Sequence, residues 1–105
     1  MLPQLQHIIN RAKAHSPSID TIQIQIVGQD DSYKVQELLF NSGIYWVSES
    51  SPHFIHSNAK FLYVYLTYRP MCIRYSTITT PCNGSNYYNI TSTAILQNTI
   101  LKRIH

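Results

Sequence analysis

The clearest structural pattern in the chain lies between Ile19 and Val47, in the segment IDTIQIQIVGQDDSYKVQELLFNSGIYWV. The first residues of this segment alternate between polar and apolar side chains, which is the period-two pattern of a β-strand with one buried face. The apolar positions are Ile22, Ile24 and Ile26. The pattern therefore predicts a strand near residues 20–27 that turns three isoleucines toward the core.

A helix is predicted to follow this strand, over residues 32–42. Gly28 breaks the alternation, and three residues of the kind that cap helix N-termini come next. These are Asp30, Asp31 and Ser32. Apolar side chains then recur at helical spacing, at Val35, Leu38 and Leu39. Gly43 suits the left-handed position after a helix, and the aromatic and β-branched residues that follow it predict a second strand near 44–48.

Residues 35–46, which read VQELLFNSGIYW, resemble a pattern found in small uncharacterised proteins of tailed bacteriophages. In those proteins an amphipathic strand precedes the helix, the helix ends in a Leu-Phe pair, and a Gly and a Trp follow at similar spacing. A Tyr-rich pair of strands comes next. The resemblance covers roughly residues 20–76 and is carried by Phe40, Gly43 and Trp46.

This resemblance implies a phage accessory protein made in the host cytoplasm, a class in which many members inhibit host enzymes or defence systems. It implies a host protein as the partner, and it assigns no catalytic residue. The same three residues also suit structural roles, because Phe40 and Trp46 fit a core and Gly43 fits a helix C-cap.

Length and composition indicate a single domain spanning residues 1–105. Of the 105 residues 44% are hydrophobic, which is enough for one core without disulfides or a metal. Only 12% are charged and the net charge is +3, so anionic partners are permitted but not required. No apolar run reaches the roughly 20 residues that span a bilayer, and no signal-peptide pattern opens the chain. Cys72 and Cys82 are therefore expected to be reduced thiols.

The remaining patterns add elements around this central unit. Residues 3–14 predict an N-terminal helix, and strands near 60–67 and 71–76 are predicted to form a hairpin. Asn83-Gly84 is a turn signal that predicts a second hairpin, and Thr91 or Ser92 suits the start of a C-terminal helix. The predicted fold is α+β, with a mostly antiparallel sheet of four to five strands, the central helix packed on one face, and terminal helices.

One face of the predicted sheet is the leading candidate for a binding surface. Tyr63 and Tyr65 alternate with core residues of their strand, so they lie on the face opposite the central helix. The same face is expected to carry Gln23, Gln25 and Arg74. Tyrosine is enriched at interfaces because it gives a large contact area at small entropic cost. The structural alternative is that a terminal helix covers these tyrosines and makes them a second core.

The long loop at residues 48–60 extends this candidate surface, since binding residues commonly lie on long loops. Its candidate binding residues are His53, Phe54 and His56. No metal site is predicted, because zinc needs three or four ligands and no further His or Cys has ligand spacing around these histidines. No nucleophile-and-base pattern or glycine-rich phosphate loop is present, so neither an enzyme nor a cofactor is predicted.

Two functions remain from this reasoning. The first is a phage-type interaction protein that binds and inhibits a host protein, such as a component of a defence system. The alternative is a nucleic-acid or nucleotide-binding module that stacks bases on Tyr63 and Tyr65, with Arg69 and Arg74 near the phosphates.

Overall fold

The computed structural model describes residues 2–28, 30–47 and 55–97. In chain order the helices and strands are α1 Pro3–His15, β1 Thr21–Gln25, α2 Asp31–Asn41, β2 Tyr45–Trp46, β3 Phe61–Tyr65, β4 Cys72–Ser76 and β5 Tyr87–Thr91. Residues 92–97 are also helical. No helix in the described parts of the chain is long and apolar enough to cross a membrane.

The five strands form one sheet in the order β2-β4-β3-β1-β5. β3 pairs antiparallel with both β1 and β4, which confirms the predicted hairpin of β3 and β4. β5 pairs parallel with β1, and β2 pairs parallel with β4. The α+β class is therefore confirmed, whereas the prediction of a mostly antiparallel sheet is wrong because both edge strands are parallel to their neighbours.

The predicted second hairpin does not form. It would need residues 77–80 to form a strand that pairs, across the Asn83-Gly84 turn, with the residues after the turn, but residues 77–80 form no strand and β5 pairs with β1. The chain instead crosses the sheet through residues 77–86 and adds β5 beside β1. The carbonyl oxygen of Asn86 accepts hydrogen bonds from the backbone N–H groups of Asp20 (3.0 Å) and Thr21 (3.2 Å), which aligns β5 with the start of β1.

One face of the sheet, termed here the helix face, carries the hydrophobic core. Ile22 and Ile24 are buried on this face, as predicted, whereas Ile26 lies beyond β1 and is only partly buried. The strands contribute Leu62, Val64 and Ile73 to the same cluster, and α1 contributes Leu5, Ile8, Ile9 and Ala12. In α2, Val35 and Leu39 are buried, and Leu38 is partly buried. Both helices therefore pack on the same face.

The ends of α2 were predicted only in part. Gly43 has the left-handed conformation expected after a helix, with φ of 82°. At the N-terminus, however, the side chain of Asp30 makes no capping hydrogen bond. The Asp31 carboxylate instead accepts hydrogen bonds from the Gly28 N–H (3.1 Å) and the Ser92 hydroxyl (2.7 Å). Asp31 therefore connects α2 to the start of the C-terminal helical residues.

The predicted C-terminal helix begins where expected. The Thr91 hydroxyl accepts a hydrogen bond from the Ala94 N–H at 3.2 Å, so Thr91 acts as the N-terminal cap. Ile95 is buried in the core. The later part of this predicted helix lies outside the described residues.

Candidate functional site

The second face of the sheet is divided into a covered half and an uncovered half. Residues 77–86 pass over the β1 and β5 side of this face as they connect β4 to β5. Gln23 holds this crossing segment in place. Its amide donates to the Cys82 carbonyl oxygen (3.1 Å) and to Asn89 Oδ1 (2.7 Å), and it accepts the Cys82 N–H (2.7 Å).

Tyr63 lies in the covered half, beneath the crossing segment. Its hydroxyl is hydrogen-bonded to Cys82 Sγ at 3.5 Å, and the residue is only 8% exposed. Burial, and next the hydrogen bond to Cys82, raises the pKa of the Tyr63 hydroxyl well above its usual value. The predicted aromatic surface is thus partly a second core, but a connecting segment covers it, not the terminal helix considered from sequence.

The uncovered half carries an aromatic patch, defined here as Tyr45, Tyr65, Tyr68, Arg69 and Arg74. Tyr45 and Tyr65 flank Cys72 in one cross-strand row over β2, β4 and β3. The Tyr65 and Tyr68 rings are stacked, with centroids 5.2 Å apart. Tyr68 is 50% exposed, and Tyr45, whose ring also stacks on Phe40 of α2 with centroids 6.3 Å apart, is 38% exposed, so both rings remain partly accessible.

A groove of about 420 Å³ borders the aromatic patch at the edge of the sheet. Tyr45, Tyr68 and Arg69 line it, together with Met71. The residues before β4 shape its wall and include a cis peptide bond between Arg69 and Pro70. The Arg69 guanidinium donates to the carbonyl oxygens of Leu66 (3.0 Å) and Tyr68 (3.3 Å). These bonds orient the arginine beside the tyrosines.

The electrostatics of the aromatic patch are simple. Its five residues include two arginines and no carboxylate. Burial raises the pKa of the Tyr65 hydroxyl, while the positive charge of Arg74 opposes that shift. The Tyr65 hydroxyl is therefore neutral at physiological pH. The patch offers aromatic area and positive charge over the whole physiological pH range.

The described loop residue of the predicted site, His56, does not join this patch. His53 and Phe54 lie outside the described residues. His56 lies toward the helix face, where its ring stacks on Tyr75 with centroids 4.0 Å apart and meets Trp46 edge-on at 4.7 Å. Its backbone N–H donates to Gln36 Oε1 at 2.8 Å, which ties the end of the loop to α2.

Sequence reasoning found Tyr65 and Arg74 but missed Tyr45 and Tyr68. Tyr45 stands between Ile44 and Trp46, both buried, so strand alternation would have placed its side chain on the outer surface. Tyr68 belongs to the turn between β3 and β4, and no periodic pattern predicts where a turn residue stacks. The two missed tyrosines are more exposed than Tyr65.

Two further expectations concern cysteines and metals. Cys72 is buried and Cys82 is exposed, and both are free thiols, as predicted. Burial raises the pKa of the Cys72 thiol. Within residues 2–28, 30–47 and 55–97, no three His, Cys, Asp or Glu side chains lie close enough to hold a metal ion.

Comparison of the chain with protein-family models, curated proteins and solved structures gave no match.

Proposed function

We propose that the chain is a phage-type interaction protein that binds a host protein through the aromatic patch and inhibits it. The observation that carries the proposal is the grouping of Tyr45, Tyr65 and Tyr68 with two arginines on the uncovered half of the second face. Tyrosine, arginine and methionine are enriched in protein interfaces and supply most hot spots. The phage origin and the host partner rest on the resemblance in residues 35–46.

The charge of the patch indicates the chemistry of the partner surface. Arg69 and Arg74 have no acidic residue beside them within the patch, so a partner with carboxylates around an apolar centre would complement it. The patch is flanked by exposed Val47 and by the groove at Met71. An apolar or aromatic side chain of the partner would fill this groove, while its acidic rim would pair with the arginines.

The alternative of nucleic-acid binding has less support in the geometry. It requires Tyr63 and Tyr65 to stack successive bases, but Tyr63 is covered by the crossing segment. Two arginines also neutralise few phosphates, whereas nucleic-acid affinity rises with each phosphate contact. A protein partner uses the same residues without requiring access to Tyr63.

Affinity capture from lysate of the bacterial host tests the proposal. The wild-type chain is compared with Tyr45→Ala/Tyr68→Ala, and Tyr33→Ala serves as the matched control because Tyr33 is 54% exposed on α2, away from the patch. We expect wild type and Tyr33→Ala to retain one host protein, in the presence of nuclease, that the double variant loses. Loss of about 2 kcal/mol per hot spot corresponds to roughly thirtyfold weaker binding.

Inhibition is then measured on the captured protein. We expect wild type and Tyr33→Ala to reduce its activity and the double variant to leave it unchanged. Capture that survives Tyr45→Ala/Tyr68→Ala would contradict the patch as the binding surface. Capture that disappears with nuclease, or that weakens steeply with salt, would support the nucleic-acid alternative instead.

A further inference from the structure

The Asn83-Gly84 pair lies in the crossing segment, and the turn that it predicts closes no hairpin. Its glycine has a packing reason instead. A Cβ atom at position 84 would lie only 2.6 Å from Asn86 Oδ1 and 3.3 Å from the ring of Tyr87. The Asn86 side chain cannot turn away without losing the hydrogen bond from its Nδ2 to Asp20 Oδ1, at 3.0 Å. Glycine is therefore the residue that fits after Asn83.

An asparagine followed by glycine is chemically labile. The backbone nitrogen of the glycine loses its proton and attacks the side-chain carbonyl carbon of the asparagine. A new N–C bond closes a succinimide ring, and the side-chain amide nitrogen leaves as ammonia. Water then opens the ring at one of its two carbonyl groups, which gives either aspartate or isoaspartate. Glycine permits this attack best, because it has no side chain to obstruct the nitrogen or to restrict the backbone.

Both reacting groups of this pair are accessible in the folded protein. Asn83 and Gly84 are exposed, and neither belongs to a helix or a strand. Among the described residues, the Asn83 side chain has no hydrogen-bond partner, and the Gly84 N–H has no acceptor. No such bond has to break before the nitrogen reaches the carbonyl carbon, so the reaction needs little local opening of the fold.

Asn41 provides the internal comparison. Asn83 is the only asparagine of the chain that is followed by glycine, and Asn41 is the only one followed by serine, another small residue. The nitrogen that would attack Asn41 is held by the helix, however, because the Ser42 N–H donates to the carbonyl oxygens of Leu38 (3.2 Å) and Leu39 (3.0 Å). The fold should therefore protect Asn41 and leave Asn83 reactive.

The position of Asn83 gives its modification a structural consequence. The segment is held on both sides of this residue, by the Gln23 amide on the backbone of Cys82 and by hydrogen bonds from the start of β1 to the carbonyl oxygen of Asn86. In isoaspartate the main chain runs through the former side chain, which adds one methylene group between these two anchors. The new carboxylate also lowers the net charge of the chain by one.

We infer that Asn83 is a site of spontaneous covalent modification, at which the Gly84 nitrogen displaces ammonia and the chain ages to an isoaspartyl form with a loosened crossing segment. The site lies on the covered half of the second face, away from the aromatic patch. The inference is therefore independent of the proposed host partner.

Incubation of the purified protein at mildly alkaline pH tests the inference, because the attacking nitrogen must lose its proton. Peptide mass spectrometry with electron-transfer fragmentation locates each deamidated position and identifies isoaspartate. We expect Asn83 in the folded protein to react within about threefold of its rate in the guanidinium-unfolded chain, because an exposed segment opens at almost no cost in free energy. Asn41 should react at least about tenfold more slowly in the folded than in the unfolded chain.

Three variants identify the reacting residue and its effect. Asn83→Gln should form no isoaspartate at this position, because the longer side chain would have to close a larger and less favoured ring. Asn41→Gln is the matched control and should age like wild type. Freshly purified Asn83→Asp carries the new charge without the added methylene group. We expect it to melt like fresh wild type, whereas aged wild type should melt at a lower temperature.

Three results would overturn the inference. The first is an Asn83 that persists in the folded protein while it reacts in the unfolded chain. The second is an Asn83→Gln variant that releases ammonia as fast as wild type. The third is complete conversion of Asn83 that leaves the melting midpoint unchanged.

Discussion

The side-chain amide of Gln23 binds both backbone groups of Cys82, donating to the carbonyl oxygen at 3.1 Å and accepting the N–H at 2.7 Å. The crossing segment is not paired with a strand at Cys82, and the side chain of a buried glutamine on a central strand makes the hydrogen bonds there that a neighbouring strand would make. Together with the Tyr63 hydroxyl against Cys82 Sγ and the Ser18 hydroxyl on the Ser85 carbonyl oxygen, this side chain holds residues 77–86 above the sheet. The segment held in this way covers Tyr63, the aromatic patch begins beyond it, and a cavity lies beside it.

Gln23→Leu should release the crossing segment. Leucine keeps the volume of the side chain but leaves the Cys82 N–H and carbonyl without their partner, which commonly costs about 1–3 kcal/mol. Urea unfolding measures the loss. Gln25→Leu is the matched control, because Gln25 lies on the same strand and face but its side chain makes no hydrogen bond to another described residue. We expect this variant to stay within about 0.5 kcal/mol of wild type. Equal midpoints for the two variants would contradict the role of Gln23.

Leu39 and Leu38 provide a second matched pair. Leu39 is 1% exposed under α2, whereas Leu38 is only partly buried. An unpaired buried charge costs several kcal/mol, which approaches the total stability of about 5–15 kcal/mol expected for a domain. Leu39→Asp should therefore unfold the protein, and Leu38→Asp should lower the melting midpoint while leaving a folded chain. Circular dichroism melts distinguish them. A wild-type midpoint for Leu39→Asp would show that α2 does not cover the core.

The Asp31 carboxylate makes stability depend on pH. The Ser92 hydroxyl, the largest contributor, and the Gly28 N–H lower the pKa of Asp31 below its ordinary value of 3.8. A carboxyl group with a lowered folded-state pKa contributes stability above its unfolded pKa and loses that contribution as the pH falls through its folded pKa. Asp31→Asn cannot titrate. Its deficit relative to wild type should be present at pH 7 and shrink as the pH falls below about 4.

Unfolding of the two proteins at pH 7, 5, 4 and 3 measures this difference. Ser92→Ala is a useful companion, because it removes the hydrogen bond that lowers the pKa of Asp31 most while leaving the carboxylate in place. In that variant the pKa of Asp31 should rise toward its ordinary value, and the acid-dependent loss of stability should become smaller. A deficit of Asp31→Asn that stays constant from pH 7 to 3 would contradict this assignment.

Much of the fold could be predicted because its signals are local. The alternation around Ile22 and Ile24, the helical spacing of Val35 and Leu39, and the glycine at position 43 each act within a few residues. The position of β5 could not be predicted in this way. It depends on Asn86 meeting Asp20 and Thr21, which lie far away in the sequence, and on residues 77–80 forming no strand of their own.

The candidate site was predicted in part for the same reason. Strand alternation correctly placed Tyr63, Tyr65 and Arg74 on one face. It could not show that residues 77–86 run across half of that face, because the hydrogen bonds that hold them come from Gln23, on a different element. Alternation predicts only the face of the sheet on which a strand residue lies. Whether that residue is exposed depends also on the path of the loops that connect the strands.

Tyr63 and Tyr65 lie two residues apart on the same face, yet they should respond differently to truncation. Tyr63→Ala removes a ring that is packed beneath Cys82 and beside Tyr87, with ring centroids 6.3 Å apart, so we expect a loss of about 3–5 kcal/mol. Tyr65→Ala removes a half-buried ring stacked on Tyr68 and should cost about 1 kcal/mol. Tyr63→Phe keeps the buried ring and controls for the hydroxyl.

The effects on binding should follow the opposite order to the effects on stability. Tyr65→Ala should weaken capture of the host protein, because Tyr65 supports the exposed ring of Tyr68 within the aromatic patch. Tyr63→Phe should bind like wild type, since its hydroxyl contacts Cys82 inside the protein. Thermal melts and binding isotherms on the three variants separate the two roles. If Tyr63→Ala melts as Tyr65→Ala does while capture is lost, residues 77–86 do not cover Tyr63, and its ring belongs to the binding surface.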